Sequence, residues 1–254
     1  MTIKLYKFSR IWTVPDASPF CVKVESFLRL AKIDYENMRF SMQNMKASPK
    51  GKMPYIELEN GEKIGDSNLI IAKLSEQYNI DLDASLSDEQ RAISTAFRRM
   101  LDENTYWVAL YSRWLDEPGW TIISNLFFGR LPPIIRQIAK SAQLRNAKNR
   151  LNGHGMGKHS KEEIYSIGCH DIKSLSDFLG NKDFFFGGKE PTMLDICAHA
   201  FVTNLINTPI ENPLNNYAKT LQNLVDHTKR IDDIVYPEGL GKKKEEPTEE
   251  KEAA

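Results

Sequence analysis

Hydrophobic and polar positions alternate over residues 3–8, and this period-two pattern predicts a β-strand. Between residues 19 and 32 the apolar positions take a helical spacing, at 20, 24, 27, 28 and 31, which predicts an amphipathic helix. Ser18 is a favourable N-cap residue and Pro19 suits the first helical position, so the helix is expected to begin there. A second strand is predicted over residues 35–40.

The dipeptide Asn60-Gly61 separates the apolar segments 54–58 and 63–64, and it favours a tight β-hairpin. Asp66 then caps a helix predicted to run to about residue 78. Residues 41–53 leave room for a short helix or none. The order β-α-β, hairpin and helix predicts one α+β domain over residues 1–80.

The pattern after residue 86 is helical throughout and predicts a separate all-α domain over residues 86–236. Capping boxes predict three helix starts, at Ser87 with Gln90, Ser160 with Glu163, and Thr192 with Asp195. The predicted helices are 87–115, 133–151, 160–179, 193–206 and 214–230. Residues 239–254 consist mainly of lysine, glutamate, proline and alanine, and this tail is expected to be disordered.

Composition narrows the class of protein. Of the 254 residues, 34 are Lys or Arg and 34 are Asp or Glu, and this balance argues against a nucleic-acid-binding protein. No apolar run approaches the roughly 18 residues that a membrane span needs, and no signal sequence is evident. The cysteines Cys21, Cys169 and Cys197 are far apart and odd in number, so no disulfide framework and no metal site is expected. These features favour a cytoplasmic location.

Three predicted elements of the first domain begin with residues that suit a ligand site. Ser18 opens a helix, Pro54 opens a strand, and Asp66-Ser67 opens the next helix. A nucleophile-sized residue at a helix start, with a proline and an acid–hydroxyl pair following, indicates a thioredoxin-like site for a thiol.

Four motifs in a fixed order resemble the glutathione transferase superfamily, and more closely its failed-axon-connections and metaxin-like branch. They are Ser18-Pro19-Phe20 with the residues up to Arg29, and the segments 48–57, 153–160 and 184–192. The resemblance covers about residues 3–235. It implies the glutathione transferase fold, an α+β two-domain chain with an N-terminal thioredoxin-like domain and a C-terminal all-α domain. This branch contains transferase-like members and non-catalytic members.

The resemblance implies that glutathione is the co-substrate and that its sulfur lies beside Ser18. The Ser18 hydroxyl would donate to a thiolate that the helix dipole also stabilises; alternatively, Ser18 only caps its helix. Two other residues remain alternatives: Tyr6, because some transferases use a tyrosine near the end of the first strand, and Cys21, which could form a mixed disulfide. Ser9 is a weaker option.

The remainder of the glutathione site is implied by the same resemblance. A cis bond between Met53 and Pro54 would let the Met53 backbone pair with the peptide-like ligand. Ser67 and the helix N-terminus would hold the γ-glutamyl carboxylate, with Asp66 near the free amine. Lys52 would reach the glycine carboxylate. Each also has a purely structural interpretation: Pro54 as an ordinary proline that starts an edge strand, Asp66 as a helix cap, and Lys52 as a solvated loop lysine.

A second set of residues is predicted to line the pocket for the acceptor substrate. Trp107, Tyr111 and Trp114 share one helix face, although such a stripe is also typical of a helical core. The remaining members are Trp12, Lys158 and His159. The glycine-rich run 153–160 does not have phosphate-loop spacing, and its two histidines lack a third metal ligand.

The sequence therefore predicts a glutathione S-transferase-like protein that conjugates or reduces an electrophilic or peroxide substrate. Its partners would be glutathione and a small electrophile, without nucleic acid and without a membrane span, and a homodimer is left open. Two alternatives belong to other classes. One is a non-catalytic metaxin-like binding or scaffold module, and the other is a thiol reductase that uses Cys21.

Overall fold

The computed structural model describes residues 2–38 and 40–240, which divide into two units. The first contains the described residues up to Lys73 together with those from Asp232 onward, and the second spans Leu74–Ile231. The predicted boundary between residues 80 and 86 lies a few positions after this division. Residues 241–254, most of the tail expected to be disordered, lie outside the described residues.

The first unit is built on a mixed four-stranded sheet in the order β2-β1-β3-β4. Strand β1 pairs parallel with β2 and antiparallel with β3, and β3 pairs antiparallel with β4 through the predicted Asn60-Gly61 turn. The βαβ-ββα order predicted from the sequence is thereby confirmed. The elements are β1 (Ile3–Tyr6), α1 (Pro19–Leu30), β2 (Tyr35–Met38), α2 (Met42–Ala47), β3 (Tyr55–Glu57), β4 (Lys63–Gly65) and α3 (Ser67–Tyr78).

Helix α1 is buried over more of its circumference than its apolar spacing predicts. Every residue from Cys21 to Leu28 is buried, including the charged Lys23 and Glu25. The prediction of a single apolar face was therefore too narrow. Burying charged side chains is costly unless they are paired, so α1 depends on partners that its own sequence does not reveal.

Arg29 of α1 contacts the C-terminal segment of the first unit, residues 232–240. Its guanidinium donates to the Val235 carbonyl at 3.3 Å and to Glu238 at 2.6 Å. It also lies 4.6 Å from the centre of the Tyr236 ring, a cation–π distance. These contacts explain why residues after Asp232 belong with α1, far from them in sequence.

The second unit is all-α, as predicted, and the three capping boxes that the sequence predicts are present. Its buried centre is α9, in which every residue from Met193 to Leu205 is buried. The helices that begin in this unit are α4 (Asp88–Met100), α5 (Tyr106–Trp114), α6 (Glu117–Phe128), α7 (Pro133–His154), α8 (Lys161–Leu179), α9 (Met193–Ile206), α10 (Pro213–Thr220) and α11 (Gln222–Val235).

Three features of this unit differ from the sequence prediction. A π-helical turn, Leu101–Thr105, interrupts the predicted 87–115 helix between α4 and α5. Helix α6 was not predicted, because Pro118-Gly119 looks like a break although proline is favourable in the first turn. The predicted 214–230 helix is two helices, divided at Leu221, whose ψ of 83° is not helical. Among the described residues, no helix has both the length and the apolar composition needed to cross a membrane.

Candidate functional site

The strand register brings the predicted glutathione-site segments to one end of the sheet. Tyr6, the last residue of β1, pairs with Tyr55, the first of β3, and Tyr55 pairs with Gly65, the last of β4. The loop after β1, the Met53-Pro54 segment before β3 and the Asp66-Ser67 segment after β4 therefore lie at the same end of the sheet. The predicted grouping follows from hydrogen-bonded pairing between strands that are distant in sequence.

Ser18 is the N-cap of α1, but its hydroxyl does not cap the helix. The carbonyl of Ser18 accepts from the N–H groups of Cys21 and Val22, and its own N–H donates to Asp16 Oδ1 at 2.9 Å. The side chain is half-buried rather than enclosed. The interpretation of Ser18 as a side-chain cap is therefore wrong, and the backbone around its hydroxyl is held by other groups.

A buried ionic cluster lies next to the start of α1. Lys7 Nζ is 3.6 Å from Asp16 and 3.1 Å from Glu25, and all three side chains are buried. Burial raises the pKa of the Asp16 carboxyl from its ordinary 3.8 to about 7, although Lys7 and the Ser18 N–H oppose this shift. Burial also disfavours the charged form of Lys7, but Glu25 and Asp16 outweigh it and raise the Lys7 pKa.

Sequence reasoning missed this cluster. The signal available was a lysine directly after β1 and a glutamate among the apolar positions of α1. Neither position indicates a partner by itself. Glu25 also accepts from the Tyr35 hydroxyl at 3.0 Å, and Tyr35 accepts from Arg29 at 2.9 Å, so the buried charges continue toward the C-terminal segment.

Cys21 does not have the properties of a reactive thiol. It is fully buried and packs with Tyr6, Met53 and Tyr55. Burial, followed by the nearby Asp16 carboxylate, raises the pKa of its thiol well above the ordinary value. Because the thiolate is the nucleophile, this environment disfavours the thiol reductase alternative. The packing of Cys21 against Met53 brings the first turn of α1 close to the Met53-Pro54 segment.

Tyr6, the alternative sulfur partner, is engaged within the sheet. Its ring stacks on Tyr55 at 4.2 Å between centroids, and its hydroxyl donates to Glu57 at 3.3 Å. Burial, followed by the Glu57 carboxylate, raises the pKa of the Tyr6 hydroxyl. These contacts favour a packing role. Ser9, the weaker option, is exposed in the loop after β1.

The bond between Met53 and Pro54 is cis, as the resemblance implies. The loop before it is held by Ser48, whose hydroxyl donates to the Lys52 carbonyl at 2.6 Å and accepts from the Lys52 N–H at 3.2 Å. The Met53 side chain is buried in the cluster with Cys21, whereas the Lys52 side chain is exposed. The buried Met53 side chain thus anchors this segment next to the first turn of α1.

The start of α3 combines an unusual backbone with a buried cation. Asp66 has a positive φ of 86°, and its carboxylate caps the helix by accepting from Asn68 N at 2.9 Å. Ser67 is buried, and Lys23, 1% exposed, donates from α1 to Asn68 Oδ1 at 3.2 Å. A non-glycine residue in this region of φ is uncommon and such residues cluster at functional sites. The arrangement suits an anionic ligand group at a helix N-terminus.

The three aromatic residues predicted for the substrate pocket are half-buried, and each contacts another helix of the second unit. Trp107 stacks on His154 of α7 at 4.3 Å, Tyr111 meets Tyr165 of α8 edge-on at 5.9 Å, and Trp114 lies 6.2 Å from Trp120 of α6. These contacts agree with the alternative in which the stripe is part of a helical core.

The other predicted pocket residues are exposed. Lys158 ends a short 3-10 turn after α7, and the adjacent His159 lies 3.4 Å from Glu163 at the start of α8. Trp12, in the first unit, has a positive φ of 49° and is 38% exposed in a turn closed by Ile11 and Val14. The acceptor-binding role of all six residues stays a prediction.

The geometry at this end of the sheet fits a peptide-like thiol. It offers a hydroxyl and a helix N-terminus for sulfur, the Met53 backbone before β3 for a peptide backbone, and a second helix N-terminus for a carboxylate. Within the part of the chain that is described, no group of three or more His, Cys, Asp or Glu side chains is arranged to hold a metal ion.

Two family models match this chain. The model of the glutathione S-transferase N-terminal domain covers residues 19–119, and the model of the glutathione S-transferase C-terminal domain covers residues 168–231. Together they include the site described above from Pro19 onward and much of the helical unit.

Curated relatives cover most of the chain. Failed axon connections of Drosophila melanogaster is 39% identical over 93% of this chain, which spans 58% of that protein's length. Isoprene-epoxide–glutathione S-transferase of Rhodococcus sp. is 34% identical over 90% of this chain and 97% of its own length. Metaxin-1 of Homo sapiens is 24% identical over 92% of this chain and 51% of its own length.

Solved structures share the fold at low sequence identity. The beta-etherase LigF from Sphingobium sp. superposes with a TM-score of 0.63 and 16% identity, over 91% of this chain and 95% of its own. A glutathione S-transferase from Methylobacterium radiotolerans, in complex with glutathione sulfonate, superposes with a TM-score of 0.58 and 16% identity, over 98% and 100%.

Proposed function

The chain belongs to the glutathione S-transferase family, and we propose that it binds glutathione in its first unit and directs the bound thiolate at a small electrophile. The observation that carries the proposal is the register Tyr6–Tyr55–Gly65, because it brings three predicted ligand-binding segments to one end of the sheet. The family binds glutathione, and each segment offers the chemistry that one part of this tripeptide needs.

Ser18 is the proposed partner of the sulfur. Its hydroxyl is not used to cap α1, and its backbone N–H is held by the buried Asp16. A hydrogen bond to a charged group contributes about 1.5–3 kcal/mol, and the positive end of the α1 dipole adds to it. Both interactions favour the thiolate over the thiol, so glutathione bound here would ionise at lower pH than in water.

The remaining glutathione groups are assigned by charge and backbone geometry. The Met53 backbone, next to the cis bond, would pair with the peptide backbone of the ligand, and the α3 N-terminus at Ser67 would receive the γ-glutamyl carboxylate. Asp66, exposed at that helix start, would face the α-amino group, and exposed Lys52 would face the glycine carboxylate. Catalysis would then rest on thiolate stabilisation and proximity.

A small strained or activated carbon electrophile is the proposed acceptor class. The transferase relative whose name specifies isoprene epoxide is 34% identical over nearly its full length. With an epoxide, the thiolate sulfur forms a bond to one ring carbon while that carbon–oxygen bond breaks. The resulting alkoxide takes a proton from water, which leaves a hydroxythioether. This step needs no oxidant and no further co-reactant.

The first test measures glutathione binding by calorimetry and then the thiol pKa of the bound ligand by its ultraviolet thiolate absorbance. We expect Kd in the micromolar to low-millimolar range, about −4 to −8 kcal/mol. Ser18→Ala should raise the thiol pKa by about 1 unit or more and lower kcat/KM with a small epoxide about 10-fold or more.

Ser9→Ala is the matched control, because it removes an exposed hydroxyl from the same loop. It should leave both the thiol pKa and turnover unchanged. If Ser18→Ala leaves turnover intact and Tyr6→Phe abolishes it, Ser18 is not the sulfur partner.

A second candidate function is a non-catalytic binding module. The observation in its favour is that identity to Failed axon connections, 39%, exceeds identity to the transferase relative, 34%. This candidate predicts neither heat nor thermal stabilisation at about 10 mM glutathione, a concentration at which even a ~1 mM site would stabilise the fold measurably. That result would contradict the transferase proposal.

A further inference from the structure

The α6–α7 hairpin exposes large apolar side chains. Among the described residues, six of the ten exposed large hydrophobic side chains are in these two helices. Ile134, Ile138 and Ile135 are 77%, 65% and 54% exposed in the first turns of α7. The others are Leu126 and Phe127, in the last turn of α6, and Leu144, farther along α7. Scattered exposed apolar residues are normal, but a cluster of this kind marks an interaction surface.

Helical geometry places the isoleucines in line with cationic residues. Ile134 and Ile138 are four residues apart and so share one face of α7, and Arg145 follows seven residues after Ile138 on that face. Lys148 is three residues beyond Arg145 and lies next to it. All four side chains are exposed. The outward face of α7 is therefore apolar in its first half and basic in its second half.

The charge around this face has one sign. Residues 118–161 contain eight Lys or Arg and no Asp or Glu. Some of these cations have internal partners: Lys140 donates to Asn125 of α6 at 3.2 Å, and Arg150 to Tyr106 of α5 at 2.9 Å. In contrast, no ion pair joins Arg130, Arg145 or Lys148 to any residue in 2–38 or 40–240. Within the described ranges, these three exposed cations therefore have no ion-pair partner.

We propose that the outward face of α7, which carries Ile134 and Ile138 in its first half and Arg145 and Lys148 in its second half, docks onto the surface of an anionic lipid bilayer. Apolar side chains flanked by unpaired cations have the composition of interfacial helices, which insert their apolar residues at the acyl boundary and place Lys and Arg among lipid phosphates. This face belongs to the second unit, whereas the proposed glutathione site lies in the first, and separate experiments test the two proposals.

Charge and shape favour a bilayer over the other occupants. A second copy of this chain would bring a cationic face against a cationic face in a two-fold contact, which is repulsive. The isoleucines occupy the outward side of a helix, 54–77% exposed, rather than the walls of a groove that a peptide could fill. A bilayer needs no groove, and it supplies both an apolar layer and negative charge.

Vesicle flotation of the full chain tests the proposal. The probes are phosphatidylcholine vesicles with and without about 30% phosphatidylserine, at about 0.1 M salt. We expect binding to the anionic vesicles only, weakened when salt is raised to about 0.5 M. The double variant Ile134→Ser/Ile138→Ser and the double variant Arg145→Glu/Lys148→Glu should each reduce the bound fraction about 10-fold.

Matched controls separate this face from general surface effects. Ile234→Ser removes an isoleucine that is 41% exposed on α11, and Lys46→Glu/Lys219→Glu changes two exposed lysines outside the hairpin. Both should bind vesicles like the unaltered chain. Unchanged thermal unfolding midpoints would show that every variant is folded.

Several results would overturn the proposal. They are absence of binding to anionic vesicles, equal binding to neutral vesicles, and binding that the hairpin variants do not reduce. A dimer that becomes monomeric in Ile134→Ser/Ile138→Ser, without vesicle binding, would instead identify the face as a contact between copies. Binding to an acidic polypeptide but not to vesicles would identify a protein partner.

Discussion

Helices α1 and α9 both begin at a hydroxyl residue, but they use it differently. At α9, Thr192 donates from its hydroxyl and its N–H to Asp195, at 2.7 and 2.8 Å. Asp195 Oδ1 also accepts from Phe185 N at 3.0 Å and lies 2.9 Å from His227. At α1, the Ser18 hydroxyl makes no capping bond. One helix start is saturated by protein groups, and the other is not; under the proposed function, its hydroxyl would meet the ligand.

Burial explains the contrast. Thr192 and Asp195 are 5% and 0% exposed, and a buried polar atom without a partner is costly, so every donor there must be satisfied internally. Ser18 is half-buried, so the same requirement does not apply to its hydroxyl. Similar N-cap residues thus mark a structural helix start in one unit and a candidate binding site in the other. Three predictions test this difference.

The largest expected effect is loss of the saturated helix start. Asp195→Ala leaves the Phe185 and Thr192 N–H groups buried without an acceptor, so the free energy of unfolding should fall by about 3–5 kcal/mol. Urea denaturation followed by circular dichroism measures it. Asp195→Asn keeps one acceptor and should cost less, and Asp226→Ala, at an exposed acid, should cost under about 0.5 kcal/mol. Equal effects at positions 195 and 226 would contradict the assignment.

The next effect is a pH dependence at the start of α1. The folded state holds the proton of Asp16 more tightly than the unfolded state, because burial raises its pKa to about 7. The resulting stability is complete below about pH 4 and is lost as pH rises through 7, by about 2–4 kcal/mol.

Asp16→Asn removes this group from the titration. The thermal unfolding midpoint of the unaltered chain should therefore fall further between pH 5 and pH 8 than the midpoint of Asp16→Asn. The exposed acid Asp226, changed to Asn, is the control and should keep the slope of the unaltered chain. Parallel profiles for Asp16→Asn and the unaltered chain would refute the prediction, and an opposite slope would show that the Lys7 pair keeps Asp16 ionised.

The smallest effect is the direct comparison of the two hydroxyls. Thr192→Ala removes a buried hydrogen bond and should lower the free energy of unfolding by about 1–2 kcal/mol, with Thr192→Ser restoring most of it. Ser18→Ala removes no capping bond and should change stability by less than about 0.5 kcal/mol. Thermal denaturation of the three variants checks this. A larger loss at Ser18 than at Thr192 would mean that Ser18 is structural.

Much of the helix and strand pattern was predictable because its signals are local. The capping boxes at Ser87, Ser160 and Thr192, the Asn60-Gly61 turn and the cis Met53–Pro54 bond are all confirmed. Each depends on residues within a few positions of one another, apart from the cis bond, which the family resemblance implied. Helix α6 was missed because proline, which interrupts a helix in its interior, is favourable in its first turn. The break at Leu221 was missed because no proline or glycine marks it.

The order of the elements, the two kinds of domain and the residue types at each helix start could all be predicted from local sequence patterns. Which of those residues act together depends on the three-dimensional fold. The register Tyr6–Tyr55–Gly65 brings the segments of the candidate site together. Lys7 pairs with Asp16 and Glu25 in a buried cluster, and Asp195 contacts His227 of α11. The physical reason is that pairing and desolvation depend on neighbours in space, which local periodicity does not encode.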